Sequence, residues 1–263
     1  MIVTSTALIK SRIPNAQTIV DGLMKGSRKP DKILFFISEE PHMIDEGIKP
    51  HEIPEINNPR VEFIYVENIG SLRKIVPVLK MFWSRKSTQI IICDDDRKIQ
   101  PDIVKKLTDY QQDINHRFHA CGTAGNIWSG MKKEYEKKGA IYKFPYSPHM
   151  PQGTGIVLGW VIKEPLQVDI LSSGMQTLVK PKFFSEDILH YEKYLEEFGV
   201  NRTDEYFISY MLAKKGTKRF VVPINQCPMQ LPVKEQLYHQ KITAKYKKAQ
   251  VDEFRETMLE WRK

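Results

Sequence analysis

Apolar runs and helical patterns alternate through the first 110 residues, and that alternation limits the fold more than any other feature. Ile2 to Thr6 predicts a short strand, and Ala16 to Lys25 a helix with Ile19, Val20, Leu23 and Met24 on one face. "KILFFIS" (Lys32 to Ser38), "VEFIYVE" (Val61 to Glu67) and "TQIIIC" (Thr88 to Cys93) predict three more strands. Glu39 to Arg60 carries four prolines and reads as a long irregular connection. "NIGSLRKIVPVLKMFW" reads as a helix capped by Ser71, with Pro77 too deep for its first turn, so it is kinked or starts later. Pro101 opens another helix at the favoured first position, with Asp102 in its first turn. Apolar strands between helices imply a mostly parallel sheet covered on both faces. Such sheets bind ligands beyond the carboxyl ends of their strands.

The run "IIICDDD" ends a buried strand at such a place on three adjacent aspartates, Asp94, Asp95 and Asp96. A solvated acidic turn is the plain explanation. The sharper one is a divalent cation, because crowded carboxylates favour a counter-cation, and oxygen ligands shared with phosphates suit Mg²⁺ or Mn²⁺. Pleat alternation puts Asp94 and Asp96 on one side and turns Asp95 away. Lys74 or Arg73 would assist a charged ligand or simply be solvated helix residues.

The second half is less regular. "VDILSSGMQTLVKP" reads as strand, Ser-Gly turn and strand, and Ser185 to Phe198 as a helix with Ile188, Tyr191, Leu195 and Phe198 inward. "RTDEYFISYMLAKKG" reads as a helix capped by Thr203 and stopped by Gly216, with Asp204 and Glu205 in its first turn. "RFVVP" follows as a short strand. The tail from Ala244 to Trp261 is amphipathic, with Val251, Phe254, Met258 and Trp261 on one stripe and Lys241, Lys245, Lys247 and Lys248 ahead of it. That helix would pack on its own domain, on a second subunit or on an anionic membrane.

Forty Lys and Arg against 32 Asp and Glu give a net charge of +8. Nucleic acid is not expected, because there is no Arg-rich arm and no zinc-finger cysteine pair. Three scattered cysteines argue against a disulfide framework and for a reducing compartment. The first residues do not read as a signal peptide, and no run reaches the length of a membrane span. Neither "GTAGNIWSG" nor "QGTGIVLG" is a Walker A or dinucleotide fingerprint. One domain over 1–263 is expected, with a nucleotide-binding half (1–120), an acceptor-side half (121–240) and the C-terminal helix (241–263).

Taken together, the chain resembles nucleotide-sugar-dependent glycosyltransferases with the GT-A fold, and among them a group of small bacterial and viral enzymes. The resemblance rests on "IIICDDD" followed by a Pro-started helix, and on Ser11, Arg12 and Ile13 within "TALIKSRI". Gly70, Lys74 and Pro77 in "GSLRKIVPVLK" add to it, as do "VDILSSGMQTLVKPKFF" and "TDEYFISYMLAKKG" in that order. It covers about residues 1 to 225 and is thinnest between Cys121 and Val168.

The resemblance implies a metal, Mn²⁺ or Mg²⁺, held by Asp96 with help from Asp94, and a nucleoside-diphosphate sugar as donor, with UDP ahead of GDP. Thr6 and Arg12 would line the nucleoside pocket, Lys74 would touch the donor, and Asp95 would bind nearby. Glu205 would be the base, with Asp204 the competing candidate. The acceptor would be a glycan or a lipid-linked hydroxyl, with Asp169 as a candidate contact and His149 or His239 completing the metal shell. A cytoplasmic enzyme is expected, peripheral to the inner face of a membrane if the C-terminal helix binds there, with a homo-oligomer left open. The rival readings are a sugar-phosphate nucleotidyltransferase, a metal-dependent phosphohydrolase or nuclease, and a non-catalytic nucleotide-sugar-binding protein.

Overall fold

A computed structural model describes residues 1–142, 155–233 and 241–260. The first half runs β1 (Ile2–Ala7), α1 (Asn15–Lys25), β2 (Lys32–Ile37), β3 (Val61–Tyr65), α2 (Val76–Phe82), β4 (Gln89–Asp94) and α3 (Ile103–Gln112). Next come β5 (Ala120–Gly122), β6 (Ala124–Ile127), α4 (Ser129–Lys137), β7 (Ile141–Tyr142), β8 (Gly155–Leu158), β9 (Leu166–Gln167), β10 (Ile170–Leu171) and β11 (Thr177–Val179). The chain closes with α5 (Leu195–Phe198), α6 (Glu205–Lys214), β12 (Arg219–Val221) and α7 (Lys241–Glu260).

Eight strands form the main sheet in the order β3-β2-β1-β4-β11-β5-β12-β9, and β10-β6-β8-β7 form a small antiparallel sheet. The four strands expected from the first half lie side by side and parallel. β11 inserts antiparallel between β4 and β5. The architecture is thus the expected mixed α/β one, with a large, mostly parallel sheet flanked by helices.

Pleat alternation sorts the strand residues between two cores. Ile33, Phe35, Ile37, Ile91 and Cys93 face α1 and α3. Val3, Leu34, Phe36, Ile90 and Ile92 face the layer that holds α2, α6 and α7. Because both faces are covered, the strands read as unbroken apolar runs rather than alternating ones.

Several local expectations need correction. The segment containing Pro77 is two pieces, a 3₁₀ turn Gly70–Lys74 and then α2, whose second residue is Pro77, so the proline breaks no hydrogen bond. Ser71 caps nothing; its hydroxyl donates to the Asn201 carbonyl. α3 starts at Ile103 rather than Pro101, because Asp102 sits in the left-handed region (φ 61°), with its carboxylate accepting from Ser27. Ser185 to Phe198 is not one helix. It is two 3₁₀ turns, Glu186–Leu189 and Tyr191–Tyr194, running into α5, and the break at His190 still lets Ile188, Tyr191 and Phe198 bury. The residue at the N-cap of α6 is Asp204, not Thr203, and only Glu205 lies in the first turn.

α7 turns its stripe inward: Phe254 and Met258 are fully buried and Val251 nearly so, against α5 and α6. The apolar face that a membrane or second subunit would need is therefore taken up by the domain itself. Among the described residues no helix is long and apolar enough to cross a membrane.

Candidate active site

β1 and β4 end side by side, with Ala7 paired to Asp94. Beyond them opens a cavity of about 300 Å³. All three aspartates line it, together with Arg12, Lys74, Asp204 and Glu205. Thr6 does not. Alternation places Ser5 and Ala7 on the other face of β1, where the Ser5 hydroxyl donates to the Lys74 carbonyl (2.6 Å), and leaves Thr6 buried toward the α1 side. Ala7 takes the place at the cavity wall that had been expected of Thr6.

The three adjacent charges are each matched from within the protein. Asp94 meets the Lys74 ammonium at 2.7 Å. Asp95 pairs with the Arg12 guanidinium and accepts from the Ile9 amide (3.1 Å), so it fastens the β1–α1 loop to the end of β4. Asp96 lies 3.7 Å from Arg12 and 3.6 Å from Arg97.

These partners leave the acids unequal. Burial pushes the Asp95 carboxyl up to about 6, with Asp96 and Asp94 adding to it against the pull of Arg12. Burial and then Asp94 also raise Asp96. Burial would raise Asp94 too, but Lys74, Arg12 and Arg97 together outweigh it and hold Asp94 below the usual carboxylate range. Lys74 is driven above its ordinary value because the carboxylates of Asp204 and Asp94 outweigh its burial.

Lys74 is the bridge of the site. Its ammonium lies 3.0 Å from Asp204 as well as 2.7 Å from Asp94, tying the strand-end cluster to the start of α6. Asp204 also accepts from the Ser173 hydroxyl at 2.5 Å. Glu205, one residue on, faces Lys247 of α7 at 3.3 Å. The two candidate bases thus differ: Asp204 is buried among structural partners, while Glu205 keeps a partly open carboxylate at the cavity wall.

Two glycines make the geometry feasible. A Cβ on Gly174 would lie 1.9 Å from Asp94 Oδ2, so the 3₁₀ turn Ser173–Met175 reaches the acid only because Gly174 has no side chain. Gly70 has φ +59°, and a Cβ there would lie 2.2 Å from the Asn201 carbonyl oxygen.

Asp96 Oδ1 is buried and makes no hydrogen bond. With Asp94 it offers hard carboxylate oxygens at the cavity wall, a donor set that fits Mg²⁺ or Mn²⁺. Among the described residues no three His, Cys, Asp or Glu side chains converge on one point, so substrate oxygens and water would have to complete a shell. His149 and His239 lie outside the described residues. Asp169 is fully buried away from the cavity, where it accepts from the Trp128 amide (2.7 Å), so the expected acceptor contact does not hold.

Three contributions were not foreseen from the sequence. Arg97 supplies a charge to Asp96. Asp45 pairs with Arg73 at 2.7 Å at the cavity wall, so Arg73 is buried rather than a solvated helix residue. α7 shapes the far side: the Gln250 amide donates to the carbonyls of Phe198 (2.8 Å) and Thr203 (3.0 Å), and Lys247 reaches the cavity. The glycine of "SSGM" was a legible hint of a close approach, whereas no local pattern marks Asp45 or Gln250.

No family model and no curated protein matches the sequence. Among solved structures, a Francisella tularensis 2-C-methyl-D-erythritol 4-phosphate cytidylyltransferase superposes with TM-score 0.51 at 12% identity, covering 95% of this chain and 98% of that one. A CMP:2-keto-3-deoxy-manno-octonic acid synthetase complexed with CTP gives TM-score 0.45 at 9% identity, over 97% and 98%. The first likeness establishes a fold shared with a nucleotidyltransferase; at that identity it does not establish a shared activity.

Proposed function

We propose that the protein is a transferase acting on a sugar nucleotide, and that it moves the sugar to a hydroxyl acceptor. One arrangement carries this reading: strand-end aspartates and the open carboxylate of Glu205 line the same cavity, joined through Lys74 and Asp204. A hydroxyl is a poor nucleophile until a base takes its proton, and Glu205, whose carboxylate lines the cavity, would be that base. The sugar–diphosphate bond would break as the bond to the acceptor oxygen forms, and the diphosphate would leave with the electron pair. Arg12, Lys74 and Arg97 lie at the wall where that charge would develop. Asp96 and Asp94 would hold a Mg²⁺ or Mn²⁺ ion, which supplies electrostatic stabilisation of the diphosphate when bound. No residue identifies the nucleobase or the sugar; UDP or GDP sugars follow from the resemblance alone.

The comparisons favour a second reading, a sugar-phosphate nucleotidyltransferase, because the cytidylyltransferase likeness spans nearly the whole of both chains. On fold likeness alone that reading stands ahead. The chemistry of the cavity weighs against it. A sugar phosphate is already an anionic nucleophile and gains nothing from a base.

One paired assay separates the readings. Nucleotide sugars with hydroxyl acceptors should release nucleoside diphosphate in the presence of Mn²⁺ or Mg²⁺. Nucleoside triphosphates with sugar phosphates should release no pyrophosphate. The opposite result would replace the first reading with the second.

A further inference from the structure

Four neighbouring strands of the main sheet deliver basic residues to the same end, away from the cavity. Lys86 precedes β4, Lys180 and Lys182 follow the antiparallel β11, Arg117 precedes β5, and Lys218 precedes β12. Their registers bring these chain ends together: Val179 pairs with Ile90, and Ala120 with Arg219. Contacts confirm the grouping. The Lys182 amide donates to the Lys86 carbonyl (3.2 Å), the Lys180 ammonium to the Arg117 carbonyl (3.5 Å), and the Ala120 amide to the Lys218 carbonyl (2.9 Å).

At the centre of this group sits Phe118. It is 56% exposed, with the Arg117 guanidinium and the Lys182 ammonium each 4.8 Å from its ring centre. Ile114, in the same loop, is 65% exposed. Among the described residues none of the five basic side chains lies in an ion pair. Asp113, at the start of the loop, faces His116 instead. Burial and the charge of Lys182 bring the Lys180 amine down to about 8. Positive charge is thus concentrated here outside any ion pair among the described residues, while Asp94, Asp95 and Asp96 lie at the opposite end of β4.

We propose that this face, the loop 113–119 with its surrounding lysines, docks on an anionic membrane surface. Phe118 and Ile114 would enter the boundary between headgroups and acyl chains, and Lys86, Arg117, Lys182 and Lys218 would meet lipid phosphates. An apolar tip ringed by unpaired cations has the chemistry of an interfacial contact, with long basic side chains free to reach the headgroups. Ile114 argues against nucleic acid as the occupant, since an aliphatic side chain offers no face for a base to stack on. The proposal does not depend on the reaction catalysed. It moves the expected membrane contact from α7, whose stripe is buried, to the other end of the sheet.

Co-sedimentation of the full chain tests it, using phosphatidylcholine vesicles with and without an equimolar share of phosphatidylglycerol. Binding should require the anionic lipid and fall with added salt. Arg117→Glu with Lys182→Glu should lower partitioning at least fivefold for each charge removed. Ile114→Ser with Phe118→Ser should also lower it, which a purely electrostatic contact would not show. All four sites are at the surface, and unchanged far-UV circular dichroism and thermal midpoint would certify the fold. Equal binding of the variants and the parent, no binding to anionic vesicles, or preference for duplex DNA or RNA over them would each overturn the proposal.

Discussion

The Lys74 ammonium lies 3.0 Å from the Asp204 carboxylate, joining the 3₁₀ turn before α2 to the N-cap residue of α6. Because Asp94 completes the bridge, this lysine neutralises the buried Asp204 and the half-buried Asp94 at once. Lys74→Met should destabilise the fold by about 3–5 kcal/mol at pH 7, the usual cost of stranding a buried charge. The sign with pH follows. Without the lysine, burial would raise the folded-state pKa of Asp94, which Lys74 now helps to hold down. Asp95 and Asp96 give both proteins some stability as pH falls toward 5, and the variant should gain more than the parent over the same range. Urea titrations of both proteins across that range would check this, and a loss independent of pH would count against the bridge.

Asp96 carries the metal expectation. Asp96→Asn keeps the shape but removes the charge, so metal-dependent binding of a nucleoside diphosphate should be lost while the fold stays intact. In the parent, burial and then Asp94 raise the Asp96 carboxyl, so protons compete with a cation for it. Affinity measured by calorimetry in Mn²⁺ should therefore weaken as pH falls from 7 to 5. A flat profile from pH 7 to pH 5 would argue that these carboxylates do not take the ion.

Gly174→Ala asks whether the close approach to Asp94 matters. The added methyl would have to displace the carboxylate or the turn, since 1.9 Å is far inside contact distance. Nucleotide binding should fall at least tenfold, with a stability loss of about 1–3 kcal/mol from overpacking. Normal affinity in a folded Gly174→Ala protein would show that Asp94 does not need its present position.

The sheet was legible because its physics is local. Apolar runs such as "KILFFI" and "QIIICD" are buried on both faces, and nothing but a covered parallel strand suits them. The strand-end position of the aspartates was legible for the same reason. Their partners were not. Arg12 reaches Asp95 across 83 positions and Gln250 reaches Thr203 across 47, and no periodicity encodes such pairs. Thr6 was misplaced because the pleat decides which of two neighbours faces the cavity, and a short strand does not reveal its phase. The Ser185–Phe198 helix failed for a related reason: spacing by three suits a 3₁₀ turn as well as an α-helix.

Glu205 and Asp204 should separate by phenotype. Glu205→Gln leaves the metal side of the cavity untouched, so donor binding should persist while transfer falls by about 10²- to 10⁴-fold. Asp204→Asn removes a charge that Lys74 and Ser173 both engage, so it should cost stability and donor affinity together. The reverse ranking in steady-state transfer would move the base to Asp204. Near-normal transfer by Glu205→Gln would point to a reaction needing no such base, and product stereochemistry by NMR would then decide between inversion and retention.

Gln250 ties α7 to the segment that leads into α6, the side of the cavity proposed to take the acceptor. Its amide supplies both bonds to the carbonyls of Phe198 and Thr203, and it is fully buried. Between those carbonyls run Arg202 and the approach to Asp204 and Glu205, and the Arg202 guanidinium lies over the Tyr246 ring of the same helix. Gln250→Leu would leave two buried acceptors unpaired, at about 1–3 kcal/mol each, enough to loosen the segment without unfolding a typical domain. The expected kinetic signature is a split. Nucleoside diphosphate affinity, set at the β4 end, should change less than twofold. The acceptor KM should rise and kcat should fall, because Glu205 would no longer be held toward the cavity. Gln250→Glu is the control: it nearly keeps the volume but sets a carboxylate against two carbonyls, so it should be as damaging or worse. Donor and acceptor constants that weaken in parallel would mean that Gln250 supports the fold at large, not the acceptor side in particular.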